Sequence, residues 1–403
     1  MGISAMNQEN NSIECALITN AYDVSLIDNK ILHCCKYELA YEPKKIEMQK
    51  HGYKIFDNNK ATVKARTEIA NNIKTASCRD CWDYESKGQR SWRLIKNQDR
   101  TADVARYDAS VKFNVQLSSL CNQSCMYCFP VLSSTIAQFG EWLDYETGDV
   151  IAVNKKTKEI AIEFSHIIDF IDNLPLEKQE LILSITGGEP FIMNQFEENI
   201  ERAIKAFVTK DKNRRLVLQL STNGNSKEDV LLKFYDKIIP LQKEYKIRLE
   251  IGISLENIEE RAEYVRQGLE WNVFLNNFNI HKRFANVTIK PTFNVFSVVN
   301  AIDFIKFFVS QNIELVYGTV NQKYLRMNIL NESFIPELIK VEDYIIQTQK
   351  QHLFREFNVL KNFINNDIEN AKIFKPSITN LDRIRKTDWT TVFPEYQQWF
   401  DNI

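Results

Sequence analysis

The run Leu120-Cys121-Asn122-Gln123-Ser124-Cys125-Met126-Tyr127-Cys128-Phe129 places three thiols in one short loop, spaced C-x3-C-x2-C, with no fourth. Cysteine thiolates hold iron–sulfur clusters, and a cubic cluster takes four ligands. Three protein ligands leave one iron open to something other than protein, which implies chemistry rather than scaffolding. Zinc is the main rival. Its structural sites take four Cys or His ligands, usually built from C-x2-C pairs. No second pair follows this run, and none of the five histidines (His33, His51, His166, His281, His352) stands at ligand spacing to it.

On either side of the loop the chain alternates short apolar runs with amphipathic stretches. Val111-Lys-Phe-Asn-Val-Gln-Leu117 alternates residue by residue and reads as a strand that delivers the loop. Further strands are expected at Leu181–Thr186, Leu216–Ser221, Leu249–Ser254, Val287–Phe293 and Ile313–Gly318. Stretches of helical spacing lie between them, Gln195–Phe207 among them. Strand alternating with helix argues a parallel sheet in an α/β fold.

Composition narrows the class. The 403 residues are 44% hydrophobic and 26% charged, with a formal net charge of -2. Those values suit a globular chain and make no electrostatic case for nucleic acid or a membrane surface. No apolar run approaches the roughly 18 residues of a membrane span. The N-terminal residues lack the basic and apolar regions of a signal peptide. Met1-Gly2 opens like an acylation signal, but Met6 stands where Ser or Thr is required. The expectation is a cytoplasmic protein with no nucleic-acid and no membrane partner. All eight cysteines fall in the first third of the chain. Clustering of that kind favours metal binding over disulfides.

With an aromatic residue, Tyr127, before its last Cys, the loop resembles that of the radical S-adenosylmethionine (SAM) enzymes. The resemblance implies a 4Fe-4S cluster on Cys121, Cys125 and Cys128, with the open iron chelated by the methionine part of SAM. It implies reductive cleavage of SAM to a 5′-deoxyadenosyl radical that takes hydrogen from a substrate. The cofactor supplies that chemistry, and the protein supplies binding and orientation. An external electron donor such as a flavodoxin or ferredoxin is implied as partner. The six strands match the partial (β/α)6 TIM-like barrel of the family, whose sites lie at the C-terminal ends of the strands.

The main motifs fall at such ends. Thr186-Gly-Gly-Glu-Pro190 follows the second strand. Taken alone it is a turn. By resemblance Gly187 and Gly188 line the SAM amino group through main-chain atoms, with Glu189 in support. Ser221-Thr-Asn-Gly224 reads equally as a turn or as part of the pocket. Ser254 ends the fourth strand, and Arg266 stands beyond it in Glu263-Tyr-Val-Arg-Gln-Gly268. By resemblance the Ser hydroxyl meets the SAM ribose and the Arg fork meets its carboxylate, which a planar guanidinium grips bidentately. The plain alternative for Arg266 is a helix-surface charge. Glu256 stands near the position where many relatives carry Asp.

The remaining cysteines are Cys15, the doublet Cys34-Cys35, and the pair Cys78-Arg-Asp-Cys81, which is followed by Trp82, Glu85, Gly88, Ser91 and Arg93. Asp23–Leu32 reads as a β-hairpin turning at Asp28-Asn29. One Cys before the hairpin, one after it and the pair make four thiolates, enough for a closed second cluster. The arrangement resembles a twitch-like auxiliary-cluster domain placed before the core. That implies an auxiliary 4Fe-4S cluster on Cys15, Cys34, Cys78 and Cys81, with Cys35 as the spare and electron relay as its role. Zinc, a redox dithiol and unliganded core thiols stay open for the same residues.

The expected division is 1–107 for the N-terminal module, 108–330 for the core and 331–403 for a helical extension. Leu353–Ile364 has helical spacing, and the tail aromatics Trp389, Phe393, Tyr396, Trp399 and Phe400 read as packing. Glu141–Lys158 interrupts the pattern and reads as a hairpin insertion at the mouth. For substrate, analogy leans to a peptide or protein. Oxidation or epimerisation of a carbohydrate or other small molecule is the second enzyme reading, and an iron–sulfur electron carrier the non-enzymatic one.

Overall fold

In Ser110–Gln116, Val111, Phe113 and Val115 are 3% exposed or less, while Lys112, Asn114 and Gln116 are half-buried. The alternation read from the sequence is therefore a strand with an apolar and a polar side. The structure is a computed structural model that describes residues 13–34, 36, 38–153, 160–354 and 364–403.

Among the described residues one sheet of eight strands organises the chain: β1 Ala21–Ser25, β2 Lys30–Leu32, β3 Ser110–Gln116, β4 Glu180–Thr186, β5 Arg215–Thr222, β6 Lys246–Ile253, β7 Asn286–Ile289 and β8 Glu314–Leu315. Their order is β8-β7-β6-β5-β4-β3-β1-β2. Every neighbouring pair is parallel except β1 with β2. From β3 to β8 each strand lies beside its successor. The connections carry the helices Phe164–Asp172, Phe196–Val208, Glu228–Glu244, Trp271–Phe284 and Ala301–Val309. The molecule is thus a mixed α/β fold on a mostly parallel sheet.

The helices form because their apolar residues recur at helical spacing. In Phe196–Val208, residues Phe196, Ile200, Ala203, Ile204 and Phe207 share one buried stripe. That stripe belongs to the same core as the strand residues Phe113, Leu183, Leu218 and Ile251. Truncating one such Phe to Ala costs ~3–5 kcal/mol.

Register sorts the two sheet faces sharply. Tyr22, Phe113, Leu183, Leu218 and Leu249 form one cross-strand row, and Val24, Val115, Ile185, Leu220 and Ile251 another. The intervening row is Asp23, Asn114, Ser184, Gln219, Glu250 and Asn286. Parallel strands buried on both faces read as near-continuous apolar runs. Here one face is apolar, and the other is polar apart from Ile182 and Val217.

Two strands are shorter than expected. The run Val287–Phe293 divides after Ile289, and Thr292–Phe293 pairs instead with Gly318–Thr319 in a small parallel pair. Pro291 has no N–H to continue the ladder. The sixth run divides in the same way, after Leu315.

The N-terminal hairpin is present, with Asp23 opposite Leu32 and Asn29 in the left-handed region at φ 56°. Its first strand runs parallel to β3 over five residues, so the main sheet extends into the N-terminal segment. Tyr22 stacks on Phe113 with ring centroids 4.8 Å apart. The insertion is a hairpin of Glu141–Leu143 with Val150–Ala152, while its residues 154–158 lie outside the described residues. Most of the helix expected at Leu353–Ile364 lies outside them as well. The tail aromatics pack as expected: Trp389, Phe393, Tyr396 and Trp399 are 5% exposed or less, and Phe393 stacks on Phe296 at 4.6 Å.

Candidate functional site

Cys121, Cys125 and Cys128 line one cavity of about 320 Å³, with Tyr127, Gly187, Gly188, Asn223, Ser254 and Arg266 also in its wall. Thr186 ends β4, Ser221 and Thr222 end β5, and Ser254 follows β6, so the cavity lies at the C-terminal ends of the parallel strands. Ligand sites in open α/β sheets sit there as well.

The cysteine loop is stitched to its surroundings by its own main chain. Ser133 Oγ donates to Gln123 O at 2.8 Å, Thr135 Oγ1 to Cys121 O at 2.6 Å, Trp142 Nε1 to Cys128 O at 3.0 Å and Gln322 Nε2 to Tyr127 O at 2.8 Å. Each such bond contributes about 0.5–1.5 kcal/mol net, and together they fix the loop's shape. The Ser133-Ser134-Thr135 triplet directly after the loop was a legible signal for this role. Gln322 left none, since its partner Tyr127 lies 195 residues away in sequence.

The glycines answer first to this loop. Gly188 N–H donates to Ser118 O at 2.6 Å, and Glu189 N–H to Leu120 O at 2.7 Å. A Cβ on Gly188 would overlap the Leu120 carbonyl. Gly187 has φ 127°, and a Cβ there would lie 2.7 Å from Ser118 O. Both positions therefore need Gly for close backbone approach. Glu189 stands behind the turn and outside the cavity wall. Its carboxylate accepts from Asn223 N–H at 2.7 Å, Thr222 Oγ1 at 2.8 Å and Phe191 N–H at 3.2 Å. Burial pushes its pKa up to about 7, against those lowering hydrogen bonds. Glu189 is a bracket between two βα loops.

Arg266 is not a helix-surface charge. It is 4% exposed and pairs with Cys125 in a two-residue antiparallel bridge to the cysteine loop. Its Nη2 lies 2.8 Å and its Nε 3.2 Å from Glu256 Oε2, Nη2 also donates to Tyr127 Oη, and Nη1 reaches Cys125 Sγ at 3.6 Å. Tyr127 Oη meets both Glu256 oxygens at 3.1 Å. The fork expected to grip a ligand carboxylate is thus held by Glu256, itself 1% exposed. Sequence reasoning noted Glu256 only as a substitution and missed its tie to Arg266 and Tyr127. Asn223, in the turn read two ways above, lines the cavity and approaches Cys121 Sγ at 3.9 Å.

Burial pushes the Cys125 thiol up to about 12 and Cys128 to about 11, with the Arg266 charge opposing in both. Bare thiols here hold their protons at neutral pH, and a cationic ligand is what would make them thiolates. Among the described residues no three or more His, Cys, Asp or Glu side chains are placed to hold one metal ion. Single-ion zinc requires four donors at roughly 2.0–2.3 Å from one point. A cluster makes a different demand, one thiolate for each separate iron. Gln123 Nε2 is buried with no partner, beside Cys125, whose Sγ donates to the amide's Oε1 at 3.6 Å. A spare N–H donor in this wall suits a site that receives sulfur acceptors. The donor set fits a cluster.

The second group also gathers. Cys15, Cys78 and Cys81 are buried, with Cys34 half-buried, in an apolar cluster with Leu17, Ile18, Ala65 and Trp82. The Cys78 thiol is raised first by burial and then by its neighbours Cys15, Cys34 and Cys81. Cys35 lies outside the described residues. Arg93, 3% exposed, bonds Glu85 Oε2 at 2.6 Å, donates to Glu14 O at 2.7 Å and stacks 4.7 Å from the Trp82 ring. Burial raises the Cys15 thiol as it does Cys78, and the Arg93 charge opposes the rise at both.

No protein-family model matches this chain, and no curated protein does either. Among the described residues no helix is long and apolar enough to cross a membrane.

Proposed function

We propose that the chain is a radical SAM enzyme, with a SAM-binding 4Fe-4S cluster on Cys121, Cys125 and Cys128. The observation that carries this reading is the meeting of three loop thiols with Gly187, Gly188 and Ser254 around one cavity at the strand ends. An auxiliary 4Fe-4S cluster falls to Cys15, Cys34, Cys78 and Cys81. The fold is read as a partial (β/α)6 barrel, with a twitch-like module at 1–107, the core at 108–330 and an extension at 331–403. Six parallel strands in chain order and one sheet face rich in polar residues support it.

When bound, cluster and SAM supply reductive C–S cleavage to methionine and a 5′-deoxyadenosyl radical, with the electron from a flavodoxin- or ferredoxin-type donor. The chain's own residues hold and orient. Cys121, Cys125 and Cys128 furnish three thiolates, and Arg266 and Asn223 direct N–H groups at two of their sulfurs. Such outer contacts orient metal ligands and tune the site. Gly187 and Gly188 keep one wall free of side chains, and the Ser254 hydroxyl stands at another. Glu256 holds Arg266 against the loop, and Trp142 and Gln322 fasten the loop's far end. The substrate is a peptide or a small molecule.

Anaerobic reconstitution, iron and sulfide counting, and SAM cleavage under dithionite test this. About eight irons per chain with 5′-deoxyadenosine formed is the expected result. About four irons with cleavage intact removes the auxiliary cluster and leaves zinc at the N-terminal cysteines. Absence of cleavage at every iron content overturns the enzyme reading in favour of an electron carrier.

A further inference from the structure

The polar face of the sheet has an ordered chemistry. Ser184 Oγ donates to Gln219 Oε1 at 2.5 Å, and Gln219 Nε2 donates to Glu250 Oε2 at 2.7 Å. Glu250 is also paired with Arg248 at 2.8 Å. The next row toward the strand ends holds Ser221, Gly252, Thr288 and Glu314 in register. Over it lies Lys290, just past the end of β7. A Cβ on Gly252 would overlap the Lys290 side chain, so the glycine is the space in which that chain lies. Lys290 is half-buried and forms no salt bridge among the described residues. Its Nζ has one long hydrogen bond, 3.4 Å to Ser221 Oγ. Ser221 also lines the cavity of the three cysteines. Lys290, Gln219, Glu250 and Gly252 border a separate cavity of about 700 Å³ along the polar face.

An ammonium drawn partly out of water, with no carboxylate ion-paired to it among the described residues, favours an anion. Burial lowers the amine's pKa and Lys112 adds to this, while Glu250 opposes it. Glu250 and Glu314 in the same wall disfavour a doubly charged phosphate, and the hydroxyl and amide groups of the rows favour hydrogen-bonding neighbours. We propose that the polar sheet face is the substrate surface and that Lys290 anchors a single carboxylate on a hydrogen-bonding substrate, either a sugar-type acid or an acidic peptide side chain. This deepens the radical SAM reading and rests on it only in calling the bound molecule a substrate.

The test is calorimetric titration of the full chain without SAM, so its outcome is separate from SAM cleavage. The probes are gluconate against glucose, and acetyl-Gly-Asp-Gly-amide against acetyl-Gly-Asn-Gly-amide. The carboxylate member of at least one pair is expected to bind about tenfold tighter than its neutral partner, which is ~1.4 kcal/mol. The pair that responds tells the sugar acid from the peptide. Lys290→Met should abolish the preference, Lys290→Arg should keep it, and Lys282→Met should leave it unchanged. Lys282 is an exposed lysine of the same cavity wall, bonded to Gln311 at 2.6 Å. Inorganic phosphate serves as a fifth probe. No carboxylate preference in either pair, tighter phosphate binding, or a preference that survives Lys290→Met overturns the proposal. Thermal unfolding of each variant checks that it is folded.

Discussion

Cys121, Cys125 and Cys128 border an open cavity whose wall mixes Gly188, Ser254 and Asn223 with Phe129, Leu132 and Val320, whereas Cys15, Cys78 and Cys81 lie in an apolar cluster with Trp82 and Leu17. Each group has a buried arginine at hand, but the two are used differently. Arg266 reaches a cysteine sulfur directly, while Arg93 is spent on Glu85 and Glu14 and acts on its cysteines through space. A loop that ends in a cavity can admit a ligand from outside. A group enclosed by apolar side chains must be completed by the protein. The difference maps onto three thiols in one place and four in the other.

The sharpest way to break that comparison is to remove one group at a time. C121A/C125A/C128A is expected to lose SAM cleavage altogether while retaining about four irons. C78A/C81A is expected to lose about four irons with cleavage still detectable. Loss of all iron in both variants would make the two groups one site and end the comparison.

Next in size is the buried charge beside Cys125. Glu256→Leu leaves the Arg266 guanidinium unpaired at 4% exposure, and breaking a buried pair in this way costs about 3–5 kcal/mol. Urea unfolding should show it, with Glu256→Gln losing less because the amide oxygen still accepts. An unchanged midpoint in Glu256→Leu would mean that Arg266 finds water or another partner.

A smaller loss is expected from Gly188→Ala, whose Cβ meets the Leu120 backbone, at about 1–3 kcal/mol of overpacking. Gly318→Ala meets nothing within 4 Å and should change stability by under about 0.5 kcal/mol. Equal effects at the two positions would remove the close approach as the reason for Gly188.

A pH slope is expected away from both cysteine groups. His281 is buried, with Nδ1 2.7 Å from Tyr235 Oη, and burial lowers its pKa to about 4 from 6.5. Between those values the unfolded chain binds a proton that the folded chain refuses. His281 therefore costs nothing above pH 6.5 and lowers stability as pH falls toward 4. His281→Asn should flatten that part of the stability profile. A slope that persists belongs to other groups, such as His33, which is lowered in the same way to about 4.

Much of this molecule was legible in the chain. Alternation at 111–117, helical spacing at 195–207 and the turn at Asp28-Asn29 are local patterns, and each became the element it suggested. Pro291 was visible too, yet the run around it was read as one strand, although a missing N–H ends a ladder. The loop spacing of Cys121, Cys125 and Cys128 needed no fold to be noticed. Arg266 and Glu256 were each in view, but their pairing was not, since nothing in the spacing says that a helix end will turn back onto the cysteine loop.

By itself the sequence determined the order of strands and helices, the three-cysteine loop and the glycine turn, because periodicity, spacing and backbone freedom act between near neighbours. Tertiary structure alone decided which distant residues meet. It set β1 beside β3, brought Cys15 and Cys34 to Cys78 and Cys81, and closed Glu256 on Arg266. It also aligned Ser184, Gln219 and Glu250 into one polar row. Register between strands far apart in sequence is chosen by burial of one whole face, and a slip of one residue would exchange the polar row for the apolar one.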